Sequence, residues 1–328
     1  MTNQFKTLTA MCAITASLFL ASCNNNSTKE NSTTQKEHEH PGGEHHEYIF
    51  ACPMHPEVTG KEGDKCPKCG MALEHMDKVP VAGNFEMQFS SSPKTVEAGK
   101  HATLSFVPKN KDNASVAVPL EVQHEKKIHL IVVSEDLSWF NHIHPEYQAD
   151  GSYTVDETFP NGGNYFLYAD YKPSGGTHQL NKIDLEVKGK TVPAKIYTTI
   201  KNTAVSDVYT VTMKPDDGKF ISNKAIHFDG VFTKNGKSFD VNQLQNYLGA
   251  KGHMVAINID TKEYIHLHPE VEGVILHFHT TFKKAGTYRA WLQFMADGKL
   301  HTTDFLIKVE QGEAVVVPET KETHSHPH

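Results

Sequence analysis

A chain that repeats itself at long range builds the same structural unit twice, and here the repeat is explicit. The string His129-Leu130-Ile131-Val132-Val133 returns as His253-Met254-Val255-Ala256-Ile257. Beyond each leading histidine comes a second string, His142-Ile143-His144-Pro145-Glu146 and then His266-Leu267-His268-Pro269-Glu270. Farther on, Gly163-Asn164-Tyr165 matches Gly286-Thr287-Tyr288, and Tyr168 falls opposite Trp291. His178 falls opposite His301 after a one-residue shift. Each copy therefore carries four histidines at matching places.

The surrounding texture is that of strands. Residues 84–190 and 205–311 consist of short alternating apolar and polar runs, broken by Gly, Pro, Asn and Asp. Ala102–Val107, Ile128–Val133, Tyr165–Ala169 and Ile183–Val187 are such runs in the first copy. Tyr209–Met213, Met254–Ile259, Tyr288–Phe294 and Phe305–Val309 are their counterparts in the second. Helical stretches are scarce, with Asp240–Tyr247 the best candidate. The expected fold is all-β: two tandem immunoglobulin-like antiparallel β-sandwich domains preceded by a small metal-stabilised Cys-rich module.

The histidine spacing has a geometric meaning. Ile128–Val133 reads as a strand, Ser134–Ser138 as a turn and Trp139–His144 as the returning strand. Such a hairpin sets His129 across from His142 and His144, which share one face because they are two residues apart. A turn near Asp260 does the same for His253, His266 and His268. His178 and His301 open the last strand of their copies and are expected to complete each set. Imidazole is the commonest metal ligand, and divergence around four retained positions argues for a metal role over an incidental one. The sequence leaves open whether the sets form separate sites or face one another. His277 and His279, absent from the first copy, rank lower, and His101, His124 and His227 read as structural or surface residues.

Composition narrows the partners. The 328 residues include 22 histidines and carry a net charge of −7, without the basic surface a nucleic-acid partner requires. Of five cysteines, Cys12 lies in the N-terminal apolar run and Cys23 ends it, leaving Cys52, Cys66 and Cys69 for the folded protein. Three suits a metal site better than a disulfide framework, although a disulfide between two of them is the competing reading.

Those three stand in Cys52-Pro53-Met54-His55-Pro56 and Cys66-Pro67-Lys68-Cys69-Gly70-Met71. The second string brings two thiolates onto one ion, and Cys52 or His55 supplies further ligands. A segment as short as 48–78 lacks the apolar area to hold itself, so a bound metal supplies the missing stability. Thiolate and thioether donors favour copper(I), silver(I) or zinc(II), and Met54, Met71 and Met76 tilt the choice toward copper or silver. From about Tyr48 to Glu74 the module resembles the heavy-metal-binding domain fused to copper/silver efflux adaptors and to copper-transporting P-type ATPases. That resemblance implies binding of a soft cation by Cys52, His55, Cys66 and Cys69, with Met54 and Met71 as further donors. It covers under a tenth of the chain, and the rest lacks the membrane spans of an ATPase and the helical hairpin of an adaptor.

At the N-terminus, residues 1–22 read as a signal peptide ending Leu20-Ala21-Ser22-Cys23, which resembles a bacterial lipobox. Cys23 is then the lipidated residue, and 23–47, containing His38, His40, His45 and His46, a disordered tether. A polar, His-rich tail occupies 312–328. The expected location is the cell envelope, on the periplasmic side of the outer membrane, with the lipid as the membrane contact. The first functional expectation is a lipoprotein that binds copper or silver, zinc being the alternative ion. It would act in buffering, delivery or resistance, with a copper/silver efflux system as partner. The second is a zinc or copper enzyme using the histidine sets, with Glu146 or Glu270 as base. The third is an adhesion or scaffold protein with incidental histidines.

Overall fold

Where apolar and polar residues alternate, strands form with one face covered; where the run is continuously apolar, both faces are covered. The computed structural model describes residues 49–52, 58–61, 63–67, 70–76, 84–113 and 117–313, all within one unit, residues 46–328. The expected signal peptide, Cys23, the tether, Met54, His55, Cys69 and residues 314–328 of the tail lie outside the described residues.

The module contributes β1 (Ile49–Ala51), β2 (Thr59–Gly60) and β3 (Glu74–Met76), paired in the order β2-β1-β3. The first repeat comprises β4 (Phe85–Ser92), β5 (Val96–Glu97), β6 (His101–Asn110), β7 (Ile128–Ser134) and β8 (Phe140–Ile143). It continues with β9 (Glu146–Tyr147), β10 (Tyr153–Thr158), β11 (Gly163–Tyr171) and β12 (Gln179–Lys188). The second repeat comprises β13 (Thr203–Ser206), β14 (Tyr209–Pro215), β15 (Phe220–Ile221), β16 (Ala225–Lys234), β17 (Lys237–Ser238) and β18 (His253–Asn258). It ends with β19 (Tyr264–Leu267), β20 (Glu270–Glu272), β21 (Ile275–Thr281), β22 (Gly286–Ala296) and β23 (Lys299–Glu310).

The two repeats share one topology. Sheets β4-β6-β10-β9 and β5-β12-β11-β7-β8 form the first sandwich. Sheets β13-β14-β16-β21-β20, with β17 beside β16, and β15-β23-β22-β18-β19 form the second. Each sandwich encloses its own core, around Leu104, Phe106 and Leu167 in one and Phe228, Phe278 and Phe294 in the other. The helical candidate Asp240–Tyr247 is corrected to a single 3-10 turn, Val241–Gln243, capped by the Asp240 side chain. The three-residue element ends where Leu244 returns to extended backbone, so the intervening polar residues never complete an α-turn.

β7 explains how the repeats meet. Ile128, Leu130 and Val132 point into the first core, while Ile131 and Val133 point out of it. Val255 and Ile257 of β18 point out of the second core in the same way, while Met254 and Ala256 point in. These outward faces pack on each other with Phe166, Tyr168 and Trp291 into a third apolar cluster between the sandwiches. Phe140 stacks on Trp291 at 4.6 Å, and Tyr264 stacks on Tyr168 at 4.8 Å. In the repeat alignment Phe140 corresponds to Tyr264 and Tyr168 to Trp291, so each pair is the image of the other. That is the reciprocity of a two-fold contact, here within one chain.

Trp291 anchors this seam. Replacing it with Ala is expected to destabilise the protein by about 3–5 kcal/mol, read as a lowered denaturation midpoint. An unchanged midpoint would show that the seam contributes nothing to stability.

Candidate metal centre

The histidines sit on the same outward faces. Within each hairpin the register pairs Ile131 with His142 and Val255 with His266. One step beyond the last pair, His129 faces His144 and His253 faces His268, as the spacing predicts. A tight turn precedes each leading strand. Gln123 and Lys126 close one, with His124 and Glu125 at φ 45° and 67°. Tyr247 and Ala250 close the other, with Leu248 and Gly249 at φ 50° and 76°. Both central residues are left-handed, the geometry of a type I′ turn.

Those turns fix the imidazole protons. His129 Nε2 lies 2.9 Å from Gln123 O, and His253 Nε2 lies 2.8 Å from Tyr247 O. A carbonyl only accepts, so both Nε2 atoms carry hydrogen and both Nδ1 atoms present lone pairs. The partner histidines are fixed across the seam. His142 Nδ1 lies 2.8 Å from Gln293 Oε1, an orientation supported by Gln293 Nε2 donating to Thr302 Oγ1 at 3.2 Å. His266 Nδ1 lies 3.0 Å from Asp170 Oδ2. Asp170 and Gln293 are equivalent: they pair with His129 and His253 in the sheets, and each reaches the other repeat's histidine. His142 and His266 therefore present Nε2 lone pairs.

These lone pairs converge. His129 Nδ1 is 3.2 Å from His142 Nε2, which is 3.1 Å from His144 Nε2. Tetrahedral zinc–nitrogen bonds of about 2.0–2.1 Å place neighbouring donors about 3.3 Å apart, so the spacing fits one ion. With both protons directed elsewhere, His129 and His142 face each other lone pair to lone pair, an arrangement a cation between them would stabilise. In the second repeat His253 Nδ1, His266 Nε2 and His268 Nε2 are buried with no hydrogen-bond partner among the described residues. They are the same three atoms by repeat position. The sets also touch, because ligand atoms of His129, His253 and His266 lie within 4.8 Å of one another. The two expected sites thus form one paired centre.

Burial lowers the basicity of His129, His142, His144, His253 and His268. It is the largest cause of lowered basicity for all five shifted members, with neighbouring imidazoles adding to it. His129 is lowered to about 4, and His144 and His253 to about 3. His142 and His268 fall well below the usual value. For Asp170, burial alone would raise the carboxyl, but the charges and hydrogen bonds of His178 and His266 hold it well below its usual range.

The remaining expected ligands are placed differently. His178 Nε2 is 2.5 Å from Asp170 Oδ1, so it supports His266 through the carboxylate instead of joining the lone-pair set. His301 stands apart, bonded to Ser206 Oγ at 3.1 Å and stacked on Phe294 at 5.0 Å. It belongs to the edge of the second core because β23 pairs His301 with Phe294, one register step beyond the pair needed for the seam. His124, read as structural, stacks on His268 at 3.6 Å and so borders the centre. Leu248 holds its place in the other repeat, so the repeat pattern could not reveal it. Glu146 bonds Lys126 at 2.9 Å, and Glu270 Oε2 lies 3.9 Å from His279 Nε2. In the module, Cys52 and Cys66 are buried with Leu73, and Met71 packs against them. Cys66 N donates to Met71 O and Gly70 N to Cys66 O, each at 2.7 Å, which shapes the tight turn that follows Cys66.

His227, His277 and His279 also converge, with ligand atoms within 4.8 Å of one another. The His-x-His string at 277 and 279 is visible in the sequence, but its partner on β16 is 50 residues away and carries no motif.

Together the fold and these residues define a heavy-metal-binding protein built from a cysteine module and paired β-sandwiches. The chain belongs to the family described as Domain of unknown function (DUF8832), whose model matches residues 78–189 and again 203–311. Residues 49–76 match the Heavy metal binding domain. A copper-transporting P-type ATPase of Rhizobium leguminosarum bv. viciae is 54% identical over 33 residues, 10% of this chain and 4% of the ATPase. Among solved structures, the Escherichia coli adhesin FdeC overlaps 68% of this chain and 63% of its own at 13% identity and TM-score 0.24. A two-domain fibronectin type III segment of chicken tenascin overlaps 68% of this chain and 97% of its own at 11% identity and TM-score 0.20. Overlaps this loose carry no argument about fold or function.

The depressed basicity of the centre has a sign. Imidazoles of the unfolded chain titrate near 6.5, whereas His129 does so at about 4 and His144 and His253 at about 3. Below about pH 6.5 the unfolded state binds more protons, so folding loses up to about 1.4 kcal/mol per pH unit for each such group. Metal-free protein is expected to melt at falling temperature from about pH 7 to about pH 5, with no contribution from these groups above that range. A flat melting profile in chelator over this range would contradict the assignment.

Proposed function

We propose that this protein binds transition-metal ions in the cell envelope, holding two in the paired histidine centre and one in the cysteine module. The observation that carries this reading is the opposition of His129 Nδ1 and His142 Nε2 at 3.2 Å, with the proton of each ring directed to another acceptor. The atoms equivalent to these and to His144 Nε2 are His253 Nδ1, His266 Nε2 and His268 Nε2, which are without a hydrogen-bond partner among the described residues. Neutral imidazole suits copper(II) and zinc(II), and the thiolates of the module suit copper(I) or silver(I). Carbonyl, amide and carboxylate partners orient the ligand rings, as the outer groups of metal sites do. Buffering or delivery of copper fits this arrangement better than turnover, because the centre is buried and the candidate bases Glu146 and Glu270 engage Lys126 and His279 instead.

Replacing His142 and His266 together with Gln should remove about two equivalents of bound copper(II) or zinc(II), measured by metal analysis after dialysis. Full retention of those equivalents would overturn the paired centre.

The resemblance of Leu20-Ala21-Ser22-Cys23 to a lipobox supports lipid anchoring at the periplasmic side of the outer membrane, with a copper/silver efflux system as the receiving partner. Labelled fatty acid should enter the wild-type chain and not a Cys23→Ser variant. Equal labelling of both would remove the anchor from the proposal.

A further inference from the structure

On the second sandwich, β16 and β21 pair in a register that sets His227 beside His279 and Asp229 beside His277. His227 and Asp229 are two apart on one strand, and His277 and His279 two apart on the other. All four side chains therefore share the face of the sheet opposite the core residues Phe228 and Phe278. His279 Nδ1 lies 2.7 Å from His227 Nδ1, and His277 Nδ1 lies 2.8 Å from Asp229 Oδ1. A carboxylate only accepts, so His277 carries its proton on Nδ1 and presents Nε2 as a donor atom. Glu270 Oε2, at 3.9 Å, stands on the Nε2 side of His279, away from the atom that meets His227. Asp229 thus sits behind the His277 ring.

A second observation comes from the cysteine module. A Cβ on Gly70 would lie 3.2 Å from His227 Cε1 and 3.4 Å from His279 Nδ1. Gly70 holds φ +78°, a conformation that favours glycine. The turn after Cys66 is therefore applied directly to this cluster, and the residue at the contact is one without a side chain to block it.

We propose that His227, His277 and His279 form a third metal site, for a borderline divalent cation such as zinc(II) or copper(II), lying beneath the Gly70 turn of the cysteine module. Three imidazoles, one of them backed by a carboxylate, is the donor set of an open zinc site. The Gly70 turn lies against two of the three rings. The site lies on the outer sheet of the second sandwich, whereas the paired centre lies at the seam, so the two inferences stand separately.

The test uses the full chain and zinc(II), which has no redox chemistry to confuse the count. His279→Gln and, separately, His227→Asn should each lower bound zinc by about one equivalent. Both leave the seam histidines untouched. Asp229→Asn keeps all three ligands and should weaken this one site by about 10–100-fold, a change a purely structural aspartate would not produce. A His142→Gln, His266→Gln double variant should keep this equivalent while losing those of the paired centre, so failure of one site is distinguishable from failure of the other. Wild-type stoichiometry in both single variants overturns the proposal. Should either variant misfold, the Asp229→Asn affinity decides: an unchanged weakest-site affinity overturns the proposal equally.

Discussion

Four hydrogen bonds, two to the turns beside the leading strands and two across the seam, determine what the seam can do. A buried imidazole has one proton and one lone pair, and whichever nitrogen finds an acceptor decides where the other looks. Gln123 O and Tyr247 O take the Nε2 protons of His129 and His253, and Gln293 and Asp170 take the Nδ1 protons of His142 and His266. All four lone pairs are thereby turned toward one volume. Packing alone would bring rings together without choosing their tautomers. The acceptors choose them, and three of the four are supplied without a net charge.

This arrangement depends on burying both faces of β7 and β18. A sandwich strand normally keeps one face for its core and one for water. Here the outward face carries a histidine followed by two apolar residues, His129-x-Ile131-x-Val133 and His253-x-Val255-x-Ile257. The apolar residues close the seam, with Phe140 on Trp291 and Tyr264 on Tyr168, and the histidines occupy one end of it. Burial then removes the water that would otherwise solvate protonated rings, which is why the basicity of His129, His142, His144, His253 and His268 falls.

Much of this is legible in the sequence. Alternation identifies the strands, and the identical spacing in each copy sets His129 across from the His142/His144 pair and His253 across from His266 and His268. The unbroken apolar stretch Leu130–Val133 also carries the information that both strand faces are covered. What the sequence withholds is pairing across long separations. Asp170 lies 96 residues from His266, and Gln293 lies 151 from His142, and neither belongs to a motif. His301 groups with the set because it recurs, yet a register step turns it into the edge of its own core beside Phe294. His227 is hidden for the opposite reason: the outer sheet alone sets it beside His279.

The repeats keep the ligand histidines but differ in groups that stand behind them. Asp170 stands behind His266, while the equivalent Gln293 stands behind His142. A carboxylate makes an imidazole a more basic donor than an amide does. His178, 2.5 Å from Asp170, balances that carboxylate and holds it well below its usual titration range, so the charge is retained even when buried. His124 adds a further ring on the same side, stacked on His268, and the residue at its equivalent turn position is Leu248. A duplicated scaffold thus supplies two sets of three histidines at matching positions, and single substitutions around them separate their electrostatics. On the proposed reading the triad of the second repeat holds its ion more tightly. That asymmetry is what a protein needs if one site is to retain metal while its neighbour exchanges it.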